Sequence, residues 1–247
     1  MVPFLYFVYE GFGAAWGWLV APELEAAVAH ATSLFVIVPT AIVGVIAYSR
    51  KGIVSWRAAL PIAVFSIPGG ILGASVAILL PANLLKLGFG IFLIISAIQL
   101  VSTRKSATER PLRISYLVTI PTGLAVGVFS ALMGVGGGLI AIPMLLYLIG
   151  LPIQRVAATS LAIIIFAASS GTVTYIVEGW NVAGRPPGSI GFVHAAAALP
   201  LMVGSLLTVR TGAKVNQKMD VKLLRRMFAA LLLILGVRLV VQAVMAL

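Results

Sequence analysis

The stretch SYLVTIPTGLAVGVFSALMGVGGGLIAIPMLLYLIG, residues 115–150, contains no charged residue. In its middle stands Gly134-Val135-Gly136-Gly137-Gly138, followed by Leu139, Ile140, Ala141, Ile142 and Pro143. Glycine costs a helix interior about 1 kcal/mol relative to alanine. Four glycines within five residues therefore break the helix. A backbone break at membrane depth survives only where protein buries it or where it lines a cavity. A helix restarting near Gly137 would aim free N–H groups and its positive dipole end into that space. Pro143 then falls in the early turns, where a missing N–H costs least. The functional reading is a backbone site for an anion, and the bland one is close helix packing by small residues. The anion site is preferred. The pattern lacks the strand-to-helix setting that a nucleotide fingerprint needs.

The rest of the chain has the same character. Of 247 residues 61% are hydrophobic and 9% charged, with a mean hydropathy of +1.15. Soluble domains carry about 25% charged residues. Residues 34–48 and 87–101 are further charge-free runs. A spanning helix needs roughly 20 mostly apolar residues, and strict alternation, the mark of barrel strands, is missing. The fold class is therefore all-α, a polytopic membrane protein. Apolar segments fall at about 1–20, 26–48, 58–80, 84–102, 114–133, 138–150, 156–177, 190–209 and 223–246. There are 17 Lys plus Arg against 6 Asp plus Glu. The basic residues cluster in short connections, as the positive-inside rule requires, so no nucleic-acid partner is expected. With no cysteine, disulfides, thiolate catalysis and Cys-held metals are excluded. Met1 opens directly on an apolar run, which argues against a cleaved signal peptide.

The chain repeats itself. Ala31-Thr32-Ser33-Leu34 returns as Ala158-Thr159-Ser160-Leu161, an offset of 127. Ala59-Leu60-Pro61 returns as Ala198-Leu199-Pro200, and Gly73-Ala74 as Gly212-Ala213, both at 139. A longer connection, Glu178 to Ser189, accounts for the difference. Residues 1–102 form a first membrane repeat, 103–113 a cytoplasmic linker and 114–247 a second repeat. Connection 49–57 holds Arg50, Lys51 and Arg57, whereas its counterpart 178–189 is neutral. Connection 81–83 is uncharged, whereas 210–222 holds Arg210, Lys214, Lys218 and Lys222. Equivalent connections thus have opposite bias, which predicts inverted repeats. Residues 115–150 must then enter and leave on one side, as two short spans or as a re-entrant pair of half-helices.

Candidate binding residues follow. The glycines Gly134, Gly136, Gly137 and Gly138 supply backbone donors. The paired hydroxyls Thr32-Ser33 and Thr159-Ser160 occupy equivalent places and suit oxyanion recognition. Their bland reading is helix capping or bonding to a carbonyl one turn back. Ionisable residues inside apolar segments are expensive and often functional. Glu10 lies in mid-segment and is a candidate proton carrier, while Lys86 and Arg238 sit near enough to segment ends to snorkel. His30 and His194 read as structural. No metal cluster, cofactor motif or catalytic set appears, so an enzyme is not expected.

These motifs resemble the TauE/SafE family of sulfite and organosulfur-anion exporters. Gly134–Gly138 with Pro143 is similar to its glycine signature, and Val156 to Leu161 closing towards Gly171 to its second signature. In the first half Val28–Leu34, Gly44, Lys51-Gly52, Trp56-Arg57 and Pro68-Gly69-Gly70 with Gly73 fit the matching repeat. The resemblance covers residues 26–246. It implies transport of small sulfur-containing anions or related carboxylates across the cytoplasmic membrane, coupled to a gradient of H+ or Na+. One departure stands out. At offset 127 the glycine signature falls on Phe7–Gly11, and the first half offers only Gly11-Phe12-Gly13 and Gly17. The amino end thus reads as shortened or diverged. The expected function is a secondary anion carrier with alternating access. The competing readings are a membrane scaffold or assembly factor of a sulfur pathway, and a channel.

Overall fold

The computed structural model describes residues 1–11, 17–102, 114–218 and 221–245. Its helices are α1 (Val2–Gly11), α2 (Glu25–Ser49), α3 (Trp56–Leu79), α4 (Ala82–Ser102), α5 (Tyr116–Met133), α6 (Gly138–Tyr147), α7 (Ile153–Glu178), α8 (Ala195–Lys218) and α9 (Val221–Met245). A two-residue hairpin, β1 (Ser189–Ile190) and β2 (Val193–His194), precedes α8 and pairs Ser189 with His194. Among the described residues α2, α3, α4, α5 and α7 are long and apolar enough to cross a membrane, and α8 and α9 carry shorter apolar runs. Large apolar side chains stand exposed along these helices, including Leu79, Leu117, Leu207 and Ile234. That outward surface suits lipid and would be a liability in water. The chain is a multi-pass α-helical membrane protein.

The helices sit where apolar length put them, and the connections differ from expectation. The segment expected at 1–20 is not one helix throughout: α1 is described from Val2 to Gly11, and Gly17 takes a left-handed φ of 69°. The helix expected from 190 starts at Ala195, since Gly188 and Gly191 have positive φ and turn the chain into the hairpin. That turn carries Phe192, Val193 and His194 into the interior. The basic connection expected at 210–222 is mostly the end of α8, which runs to Lys218. The linker 103–113 lies outside the described residues.

Helix α7 is the most enclosed span, with 61% of its apolar window buried against 44% or less for the others. It packs on α2 and α3, α2 packs also on α8, and α4 packs on α9. The α3–α5 crossing is built from glycine. A Cβ added to Gly73 would strike the Val128 carbonyl oxygen, and one on Gly127 would strike that of Ser66. Small residues let helix backbones approach closely, which is how helices associate in lipid.

Candidate functional site

The predicted break is present. Helix α5 ends at Met133, and its cap Gly134 is left-handed with φ 64°. Gly136 and Gly137 follow with φ 76° and 72°. L side chains rarely adopt these angles, and three such positions in four residues reverse the chain. A Cβ on Gly137 would stand 2.8 Å from Val126 Cγ1 and 3.1 Å from Ser130 Cβ, so the chain has doubled back onto α5. Helix α6 then joins Val126 in one apolar cluster through Ala141 and Leu145. The second-half stretch is a helix hairpin with unequal arms of 18 and 10 residues.

The start of α6 has no side-chain cap. The first four N–H groups of a helix lack internal partners, and here Gly137 contributes no side chain to cover them. Gly134, Gly136 and Gly137 are all buried. Gly134 lies against His30, and Gly136 against Ile37 and Ile164. The break is thus packed over by side chains in this conformation. On α5, Thr122 and Ser130 lie one turn either side of Val126, and each has a buried hydroxyl without a hydrogen-bond partner among the described residues. A membrane-helix serine ordinarily bonds a carbonyl one turn back, and Ser130 does not.

Helix α1 brings a second amino end to the same place. Val2 Cγ2 is 2.9 Å from where a Cβ on Gly134 would stand. Further along α1, the Tyr6 hydroxyl is 3.1 Å from His30 Nε2 and the Tyr9 hydroxyl 3.2 Å from His194 Nδ1. Trp18 meets the His194 ring edge-on at 4.9 Å. Burial holds the His194 imidazole down at about 4, so near neutral pH it acts as an uncharged hydrogen-bonding group. The tyrosines went unrecognised as site candidates, although their i, i+3 spacing placed them on one helical face.

The predicted hydroxyls divide. Ser33 joins the break, its Oγ donating to the Gly134 carbonyl at 2.7 Å. Thr32 and Thr159 do not. Thr32 Oγ1 accepts from the His194 backbone N–H at 3.0 Å, and Thr159 Oγ1 accepts from that of Ser55 at 3.1 Å. Each hydroxyl anchors the residue before a helix in the opposite half, α8 and α3. The offsets are 159 − 32 = 127 and 194 − 55 = 139, the two spacings of the sequence repeat. Ser160 bonds the Ala157 carbonyl within its own helix at 2.9 Å.

Of the ionisable candidates, Glu10 lies in α1 with its side chain outside the described residues. Lys86 does not snorkel. It is 7% exposed and pairs with Glu25 at 2.8 Å. A charge-free segment hid this partner, because Glu25 sits just ahead of the run that reads as helix. A groove of about 660 Å³ between α3 and α7, lined by Ile67, Ile71, Phe166, Val173 and Glu178, contains none of the predicted residues. Its apolar lining suits an acyl chain better than an anion.

The model of the sulfite exporter TauE/SafE family matches residues 1–239. The "Probable membrane transporter protein YunE" of Bacillus subtilis is 26% identical over 235 residues, covering 88% of this chain and 82% of the relative. A protein of Methanocaldococcus jannaschii, also named a probable membrane transporter, is 28% identical over 242 residues, covering 91% of this chain and 87% of its own length. No solved structure matches the chain. With its helix hairpin, glycine break and paired Thr-Ser segments accounted for along almost its whole length, the chain belongs to the TauE/SafE sulfite exporter family.

Proposed function

We propose that this protein is a secondary carrier that moves a small anion, sulfite or an organosulfonate, across the cytoplasmic membrane by alternating access. The observation that carries the reading is the uncapped amino end of α6 at Gly137, buried inside the protein. The amino end of α1 abuts the same break at Gly134. Each helix start carries roughly half a positive charge. Two starts facing one enclosed place attract an anion without the cost of burying a free cation. Discontinuous helices play this part in other secondary carriers. The Ser130 and Thr122 hydroxyls supply further donors, Ser33 holds the Gly134 carbonyl, and Thr32 and Thr159 act as fasteners of the frame.

The packing supports two halves related by a pseudo-two-fold axis. The α2–α8 contact has its counterpart in α7–α3, and α1–α2 in α6–α7. The exchanged bonds Thr32–His194 and Thr159–Ser55 are isologous in the same sense. Rocking of one half against the other about α2 and α7 would expose the break to each side in turn. The substrate class rests on the family description, and the relatives' names support transport alone. The coupling ion is H+ or Na+.

The test is flux of labelled methanesulfonate and sulfite into proteoliposomes holding the full chain. A carrier gives saturable uptake, accelerated when unlabelled substrate is loaded on the other side. A scaffold gives no flux, and a channel gives flux that neither saturates nor shows countertransport. Either of the last two results overturns the proposal.

A further inference from the structure

Among the described residues the fold buries two charged side chains, and it buries them together. Lys86, from the second turn of α4, places Nζ 2.8 Å from Oε2 of Glu25, in the first turn of α2. Lys86 Nζ also lies over the Tyr6 ring, 4.9 Å from its centre. The Tyr6 hydroxyl reaches His30, and His30 lies against Gly134. One turn along α4, Phe89 meets the His30 ring edge-on. Tyr6 and His30 therefore link the ion pair to the glycine break, and all of them occupy one enclosed region.

An enclosed carboxylate and ammonium are tolerated because their charges cancel, and losing one partner leaves a costly lone charge. An anion entering this region adds a second negative charge beside the Lys86 ammonium. Two anions sharing one cation in a weakly polar interior disfavour ionisation of the weaker acid. The neutral alternative is for Glu25 to take a proton and for Lys86 to turn to the incoming anion. We propose that Glu25 is the proton-binding group of this carrier and that Lys86 is the counter-charge handed between Glu25 and the substrate, so that each monovalent anion binds together with one proton. The inference rests on the carrier reading above. The proton comes from water onto a Glu25 carboxylate oxygen and returns to water when the anion leaves. No other bond is made or broken.

Among the described residues the other titratable groups of this region are Tyr6 and Tyr9 of α1, the Met1 amino group at the head of α1, His30 of α2 and His194 before α8. Each histidine is met by a tyrosine hydroxyl, and Glu25 holds the ammonium. Arg238 of α9 is exposed and lies over the Phe7 ring at 4.9 Å. The Glu10 side chain is outside the described residues.

The experiment uses the full chain in lipid nanodiscs. Binding of labelled methanesulfonate or isethionate, neither of which titrates near neutral pH, is measured by equilibrium dialysis. Proton uptake is read in parallel with a glass electrode in weakly buffered solution. Close to one proton is expected per sulfonate bound. Glu25→Gln should bind the sulfonate and take up no proton. The charge-free double variant Glu25→Gln/Lys86→Gln, which strands no buried charge, should bind at least about tenfold more weakly and take up none. The proposal is overturned if the unaltered protein binds without proton uptake, if Glu25→Gln takes up as many protons as the unaltered protein, if the double variant binds as tightly, or if neither sulfonate binds. Proteoliposome flux separates the two proposals. Binding with proton uptake but no flux keeps the coupling site and removes the carrier, whereas flux without proton uptake does the reverse.

Discussion

Glycine is used in two ways in this molecule. At the α3–α5 crossing Gly69, Gly73, Gly123 and Gly127 sit inside unbroken helices, and their missing Cβ atoms let two backbones touch. At the break Gly134, Gly136 and Gly137 have positive φ, and their missing Cβ atoms let the chain reverse and start a new helix with no side-chain cap. The same composition thus holds the fold together in one place and leaves donors open in the other. Spacing distinguishes them. Gly69 and Gly73, like Gly123 and Gly127, stand four apart and present one helix face, whereas four glycines within five residues end the helix at 134–138.

Substitution should separate these uses. The largest effect is expected at Gly127→Val, where the new side chain meets the Ser66 carbonyl and the Gly70 N–H of α3. Overpacking between backbones that cannot shift should cost about 3 kcal/mol or more, read as loss of monodisperse protein after extraction. Gly137→Val should still insert, although strain at its positive φ costs about 1–3 kcal/mol and its Cβ crowds Val126 Cγ1 at 2.8 Å and the Val126 carbonyl oxygen at 2.9 Å, so its monodispersity is measured beside its flux. Its flux should nevertheless fall by about 100-fold, equal to about 2.7 kcal/mol of lost binding or transition-state stabilisation. Wild-type flux from that variant would return the break to the packing class.

Smaller effects sharpen the division between fasteners and site. Thr32→Val and Thr159→Val each strand a backbone N–H, of His194 and Ser55. Each should lower stability by about 1–3 kcal/mol and leave the KM for the anion unchanged, measured by thermal unfolding beside flux. Ser130→Ala should do the opposite. Its hydroxyl has no partner to lose among the described residues, so stability should hold while affinity drops about fivefold, or about 1 kcal/mol. If both threonine variants raise KM and Ser130→Ala does not, the assignment is reversed.

Much of the fold was legible because lipid imposes a simple rule. Apolar length located α2, α3, α4, α5, α7 and α9 to within a few residues, and the glycine run located the end of α5 and the start of α6. The amino end was not legible in the same way. Residues 1–20 have the apolar content of one span, and only the glycines at 11, 13 and 17 hinted that α1 would be short. At the site, backbone donors could be read from glycine, because glycine's conformational range is a local property. The partners of Thr32, Thr159 and Lys86 could not be, because His194, Ser55 and Glu25 are distant in sequence and meet them through packing alone. The repeat still held a clue. Thr32 and Thr159 lie at equivalent positions, and equivalent positions in a two-fold arrangement serve equivalent contacts, here structural ones. The side-chain donors of α1 were missed because Tyr6 and Tyr9 read as ordinary apolar filling until His30 and His194 stand beside them.

The most direct test observes the amides themselves. Protein labelled with 15N at glycine and leucine, titrated with methanesulfonate in nanodiscs, should show saturable downfield shifts of the Gly138 and Leu139 amide protons, with Gly127 unmoved. Shifts confined to residues elsewhere, with Gly138 and Leu139 unchanged at saturating anion, would contradict the claim that the start of α6 receives the solute.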